Sequence, residues 1–325
     1  MKKLFSRALL LLLLPVLLLS GCGPSPNEKV SAVGFYLDTV ISITAYGVKQ
    51  EVVDDALNKI EEYENLLSKT IEGSDVWKIN HANGQPVEVS DYTREVLEAS
   101  AKTSAACGGA FDITVEPSVA LWDFKSEAPS LPDKEKLAET AKLTDYTKVR
   151  LEGNTITLPA GMRIDLGSIA KGYVTDEIAE YCRSRGVKRG ILNFGGNVVV
   201  IGNRPDGQPW NVGIQDPKEP TGQPLITLPT TDGAVVTSGV YERGFTLDNV
   251  RYHHILDPET GWPVQNGLAS VTILTKDSLT ADAYDTACFV MGLEKGMALV
   301  ESIPGMEAVF IDDEENIYYS SGLQK

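Results

Sequence analysis

Asp282, Asp285 and Thr286 stand at positions i, i+3 and i+4 of a stretch with helical spacing, so one helix face can present three oxygens together. Hard oxygen donors on a rigid element suit Mg²⁺, which takes one or two carboxylates and fills its shell with water and substrate phosphates. The same acids also suit a helix N-terminus, where the macrodipole favours negative charge. A second stretch, IDLGSIAKGY over 164–173, reads as a strand, a glycine turn and a helix start. It gathers free backbone N–H groups and Lys171 near Asp165, a workable anion cradle, although neither a Walker A loop nor a GxGxxG pattern is present. Two of the chain's three histidines, His253 and His254, precede the turn Asp257-Pro258-Glu259-Thr260-Gly261, a place where an imidazole could serve as general base or simply as a loop hydrogen-bonder. Last, Cys107-Gly108-Gly109-Ala110-Phe111-Asp112 offers small residues that let a ligand approach the backbone, with Phe111 and Trp122 free to stack or pack; a helix cap explains the glycines equally well.

These groups need elements to position them. Leu37–Tyr46 alternates as a strand, and Glu51–Leu67 has helical spacing with acids on its outer side. Tyr92–Cys107 reads as a helix ended by Gly108-Gly109, Arg163–Leu166 as a short strand, and Ser168–Arg185 as a helix. Strands follow at Gly190–Phe194, Val198–Ile201, Ala234–Ser238 and Ala269–Leu274. Thr280–Met291 reads as an apolar helix stopped by Gly292, and Glu307–Tyr319 as a closing hairpin. That order predicts an α/β or α+β fold, a mixed sheet with packed helices, in one piece or as two subdomains sharing a core.

The chain carries 29 basic and 45 acidic residues, a net charge of −16. Such acidity argues against a nucleic-acid partner and against broad docking on an anionic membrane, while leaving room for a phosphate ligand offset by a local cation. Three of the basic residues, Lys2, Lys3 and Arg7, precede an apolar run broken only by Pro15 and closed by Leu19-Ser20-Gly21-Cys22. This is the pattern of a bacterial lipoprotein leader. It predicts a signal peptide over 1–21, lipid on Cys22, a polar tether over 22–33 and one domain over 34–325, anchored to the outer side of the cell membrane. The other cysteines, Cys107, Cys182 and Cys288, cannot all pair and lack metal-ligand spacing; buried free thiols are expected at 182 and 288.

Taken in order, GGAFDITVEPSVALW, IDLGSIAKGY, ILNFGGNVVVIG, AVVTSG, HHILDPETGWPV and ADAYDTACFVMG resemble the ApbE family, the FAD:protein FMN transferases. The resemblance implies FAD as substrate and Mg²⁺ held by Asp282, Asp285, Thr286 and the carbonyl of Ser168. It implies flavin-nucleotide contacts from Asp165 and Lys171, an adenine or ribose lining from Ala110, Phe111 and Asp112, and further contacts from Thr70 and Leu256. Leu37 falls where the family has Met-Gly-Thr, here Leu37-Asp38-Thr39, so its contact keeps only the apolar character. The implied reaction moves FMN from FAD to a threonine or serine hydroxyl of an exported or membrane flavoprotein and releases AMP. His254 is the expected base, with His253 as the fallback. An FAD pyrophosphatase and a non-catalytic flavin-binding lipoprotein are the alternatives.

Overall fold

The computed structural model describes residues 24–126 and 128–324; the signal-peptide and Cys22 expectations lie outside them. Fifteen strands are assigned among these residues: β1 (Lys29–Tyr36), β2 (Thr39–Tyr46), β3 (Val87–Glu88), β4 (Arg150–Glu152), β5 (Thr155–Thr157), β6 (Gly190–Phe194), β7 (Asn197–Ile201), β8 (Trp210–Gln215), β9 (Pro224–Thr230), β10 (Gly233–Gly239), β11 (Gly244–Leu247), β12 (Val250–His253), β13 (Leu268–Thr275), β14 (Glu307–Asp312) and β15 (Ile317–Tyr319). Eight form one sheet in the order β1-β2-β6-β7-β10-β13-β14-β15. Every pairing in it is antiparallel, so the mixed sheet expected from the sequence is corrected.

Alternation along the strands gives the sheet two apolar faces. Ile41, Ile43, Leu192, Phe194, Val199, Val236, Val271, Ile273 and Phe310 join the principal core. It packs beneath α1 (Gln50–Leu67), α2 (Asp75–His81), α3 (Asp91–Ala106), α4 (Ala170–Ser184) and α5 (Ser278–Glu301). Val198, Val200, Val235, Val309 and Ile311 point the other way and are covered by the β8–β9 hairpin through Trp210, Val212 and Ile214. The principal core takes residues from Val30 to Phe310, which favours one shared core over two separate ones. Trp122, Leu137, Phe245 and Leu256 make a small satellite cluster.

Several expected elements shift. The tether is shorter than expected, because Lys29–Val33 already pair with Ser42–Tyr46. Leu37 and Asp38 form the tight β1–β2 turn rather than strand, with φ of 50° and 63°, the left-handed pair that a two-residue hairpin demands. Arg163–Leu166 is extended but unpaired as a strand. The Asn80 side chain plays the neighbour instead: its amide donates to the Ile164 carbonyl at 2.9 Å and its oxygen accepts the Ile164 N–H at 2.7 Å. The following helix begins at Ala170, not Ser168. α5 starts at Ser278 and runs past Gly292, whose φ of 79° marks a break between two helical segments. Cys107, Cys182 and Cys288 are buried free thiols.

Candidate active site

The α4–α5 junction brings the first two sequence motifs together. Gly172 makes this possible: a Cβ there would overlap the Ser278 carbonyl and come within 2.7 Å of Asp282 Cβ. Helix approach this close needs glycine. Asp176 on α4 then accepts the N–H groups of Ser278 and Leu279 at 2.8 Å each, capping α5 and fixing its start on α4. Burial nevertheless pushes the Asp176 carboxyl up to about 7.

Asp282 is 2% exposed. Its Oδ1 accepts from Lys171 Nζ at 2.8 Å and its Oδ2 from the Gly172 N–H at 2.8 Å. Gly172 lies in the first turn of α4, where an N–H has no intrahelical acceptor, and Asp282 supplies one. Asp285 is fully buried, and its Oδ2 has no hydrogen-bond partner. Burial, then the charge of Asp282, raises the Asp285 carboxyl well above its usual range, with Lys171 opposing. Thr286 Oγ1 donates to Asp285 Oδ1 at 3.2 Å and lies 3.3 Å from Ser238 Oγ at the end of β10. Ser270 and Tyr241 bury their hydroxyl oxygens near each other, and Tyr241 lies within the field of Asp285.

The two histidines differ. His253 is 2% exposed; its Nε2 lies 2.8 Å from the Val264 carbonyl and its Nδ1 accepts the Ile255 N–H at 3.3 Å. Both ring nitrogens are used, so the structure gives the fallback base a scaffolding position. His254 keeps an accessible edge, and its Nδ1 lies 3.3 Å from the Arg243 carbonyl. A carbonyl only accepts, so Nδ1 carries the proton and Nε2 offers a lone pair. Burial first, then the Arg243 guanidinium, pushes His254 down to about 3, and Lys171 also acts on it. One cation thus influences both Asp285 and His254, which ties the third motif to the junction.

The remaining expected contacts divide. Asp165 is part-exposed beside the junction turn: its Oδ1 accepts the Gly167 N–H at 2.9 Å and its Oδ2 meets Lys69 Nζ at 2.8 Å. Thr70, next in sequence to Lys69, turns its Oγ1 to Ser68 Oγ, 3.0 Å away. Ala110 and Asp112 line a cleft of about 830 Å³ between Cys107–Asp112, Asp145-Tyr146 and the 257–265 turn. Asp112, however, spends its oxygens internally, Oδ1 on Thr114 and Oδ2 on the Tyr146 N–H at 2.8 Å. Phe111 is 1% exposed and belongs to the core, so its side chain cannot line a ligand. Leu256 is likewise corrected to a core position in the satellite cluster, at 6% exposure. Leu37 packs part-buried against the principal core from the β1–β2 turn, and its N–H donates to Glu64 Oε1 at 2.9 Å.

The model of the ApbE family matches residues 37–310. The chain belongs to the ApbE family. Among ApbE relatives, the FAD:protein FMN transferase of Vibrio cholerae is 34% identical over 97% of this chain and 97% of its own length. That of Klebsiella pneumoniae is 34% identical over 91% and 93%. The ApbE protein of Thermotoga maritima superposes with a TM-score of 0.83 at 32% identity, covering 91% of this chain and 98% of its own. The flavin transferase ApbE of Vibrio cholerae does so at 0.81 and 31%, covering 91% and 98%.

Within this ApbE chain no three acidic, histidine or cysteine side chains converge on one point among the described residues. A cation site would therefore combine two carboxylates with a hydroxyl and a carbonyl. The donors fit Mg²⁺: all are hard oxygens, and the buried Oδ2 of Asp285 lacks any other partner. Sequence reasoning missed Asp176, Ser238 and Lys69. Asp277 caps α5 by accepting the Thr280 N–H, but the second cap comes from another helix and leaves no local signal.

Proposed function

We propose that this chain is an FAD:protein FMN transferase, moving FMN from FAD to a threonine or serine hydroxyl of an exported or membrane flavoprotein. The observation that carries this reading is the unpartnered, buried Asp285 Oδ2 beside Asp282, with Lys171 and a neutral His254 sharing one electrostatic neighbourhood. Asp282, Asp285, Thr286 and the Ser168 carbonyl are the groups to hold Mg²⁺, which when bound offsets phosphate charge. Lys171 binds the pyrophosphate and Asp165 orients the nucleotide; the expected amide cradle is largely spent, because the N–H groups of Asp165, Gly167, Ile169 and Ala170 are bonded within the protein.

The acceptor hydroxyl oxygen forms a bond to the FMN-side phosphorus, and the bond from that phosphorus to the bridging oxygen breaks. AMP leaves with the bridging oxygen. The hydroxyl proton passes to Nε2 of His254. An anionic phosphate beside the imidazole raises its proton affinity above that of the free site. The leader sequence supports lipid on Cys22 and a position on the outer side of the cell membrane, close to exported acceptors.

Incubation with FAD, Mg²⁺ and candidate exported flavoproteins, read by intact mass, tests the assignment. An FMN-sized mass increase on the acceptor with matching AMP release is expected. AMP and free FMN without acceptor modification would instead make the chain a pyrophosphatase. Binding of FAD with no AMP at all would make it a flavin carrier.

A further inference from the structure

The acid pocket holds an imbalance that its own residues only half correct. Asp282 and Asp285 bring two carboxylates, and Lys171 is the one cation bonded to either among the described residues. Asp282 cannot follow Lys171 if the ammonium moves, because the Gly172 amide pins its other oxygen and the close α4–α5 approach pins its Cβ. Lys171 is less constrained. Its side chain is 23% exposed against 3% for Asp282, and a four-carbon stem lets the ammonium swing. A dication held by both carboxylates with Lys171 still in place would set three positive charges against two negative ones, in a buried setting where like charges repel strongly.

We infer that Lys171 is a resident placeholder cation, which gives up Asp282 when a divalent cation binds there and becomes available to grip phosphate. This rests on the metal-assisted transferase reading above and deepens it. Lys171 then carries the coupling: the divalent cation releases the lysine, the lysine supplies a phosphate contact, and each ligand strengthens the other's binding by the same factor. A nucleotide arriving without the cation meets a lysine already committed to Asp282 and two buried acids that repel its phosphates.

The test is Mg²⁺ titration by calorimetry without nucleotide, for wild type, Lys171→Met and Lys171→Arg. Lys171→Met, which removes the competitor, should bind Mg²⁺ about tenfold more tightly, within the usual range of such couplings. Lys171→Arg should stay near wild type. The enhancement of FAD affinity by Mg²⁺ should shrink in Lys171→Met. A wild-type measurement guards against misfolding of the variant: Mg²⁺ alone should raise acylation of Lys171 Nζ several-fold, read by peptide mass. Unchanged or weaker Mg²⁺ binding by folded Lys171→Met, or acylation indifferent to Mg²⁺, overturns the placeholder while leaving the metal site standing. Failure of the wild type to bind Mg²⁺ at all overturns both.

Discussion

The α4–α5 junction and the 107–112 cleft both contain a buried aspartate, yet they use it in opposite ways. Asp112 gives each oxygen a protein partner and so ties the 111–115 segment to the 145–147 turn. Asp285 leaves Oδ2 unpaired at the centre of the fold. Most buried polar atoms in proteins are satisfied, so the unpaired Asp285 oxygen beside a second buried acid is the feature on which the proposed cation site rests. The cleft has been shaped by spending its hydrogen bonds on loops; the junction keeps electrostatic capacity in reserve.

Four substitutions would break or sharpen that contrast. Asp285→Asn should have the largest effect on chemistry, lowering AMP release by ~10²-fold or more through loss of charge stabilisation. Removing a buried charge beside Asp282 should at the same time raise the metal-free melting temperature by roughly 2–4 °C. A variant that is both inactive and less stable would place Asp285 with the structural acids. His254→Ala should cost ~10²-fold in transfer while FAD still binds in an equilibrium assay.

The same variant reports on pH. Folded His254 stays neutral down to about 3 whereas an ordinary histidine protonates near 6.5. Between those values the unfolded chain binds the extra proton, so wild-type stability is lost as pH falls through that window. The melting-temperature gap between wild type and His254→Ala should therefore narrow on acidification from pH 7.5 to pH 5; a constant gap would mean an ordinary imidazole.

Asp112→Ala should reverse the Asp285 pattern. It orphans the Tyr146 and Thr114 N–H groups, costing about 1–3 kcal/mol of stability in denaturant unfolding, with a smaller change in kcat measured well below the transition. Asp176→Ala should give the smallest loss, about 1 kcal/mol for a missing cap, and a weaker response of activity to Mg²⁺ as the start of α5 loosens. Unaltered Mg²⁺ dependence would show that Asp277, whose side chain accepts from Thr280, positions α5 unaided.

Local patterns in the sequence determined much of this molecule. Helical spacing put Asp282, Asp285 and Thr286 on one helix, and β alternation located β2, because burying one face leaves a period that can be read without knowing the partner. Six ordered motifs determined the family. The sequence did not determine what each side chain meets. Phe111 and Leu256 looked ligand-facing and proved to be core, since an apolar residue beside glycines or in a turn has no local mark of which way the chain folds over it. His253 and His254 were interchangeable as letters; only the packing that seats His253 between Val264 and Phe289 separated scaffold from base. The antiparallel sheet and the capping of α5 by Asp176 depend on pairings across long stretches of chain. The decisive fact, an unpaired carboxylate oxygen next to a lysine-bound one, exists only after Gly172 lets two helices separated by more than a hundred residues touch. Desolvation and charge proximity are properties of that contact, and no single segment carries them.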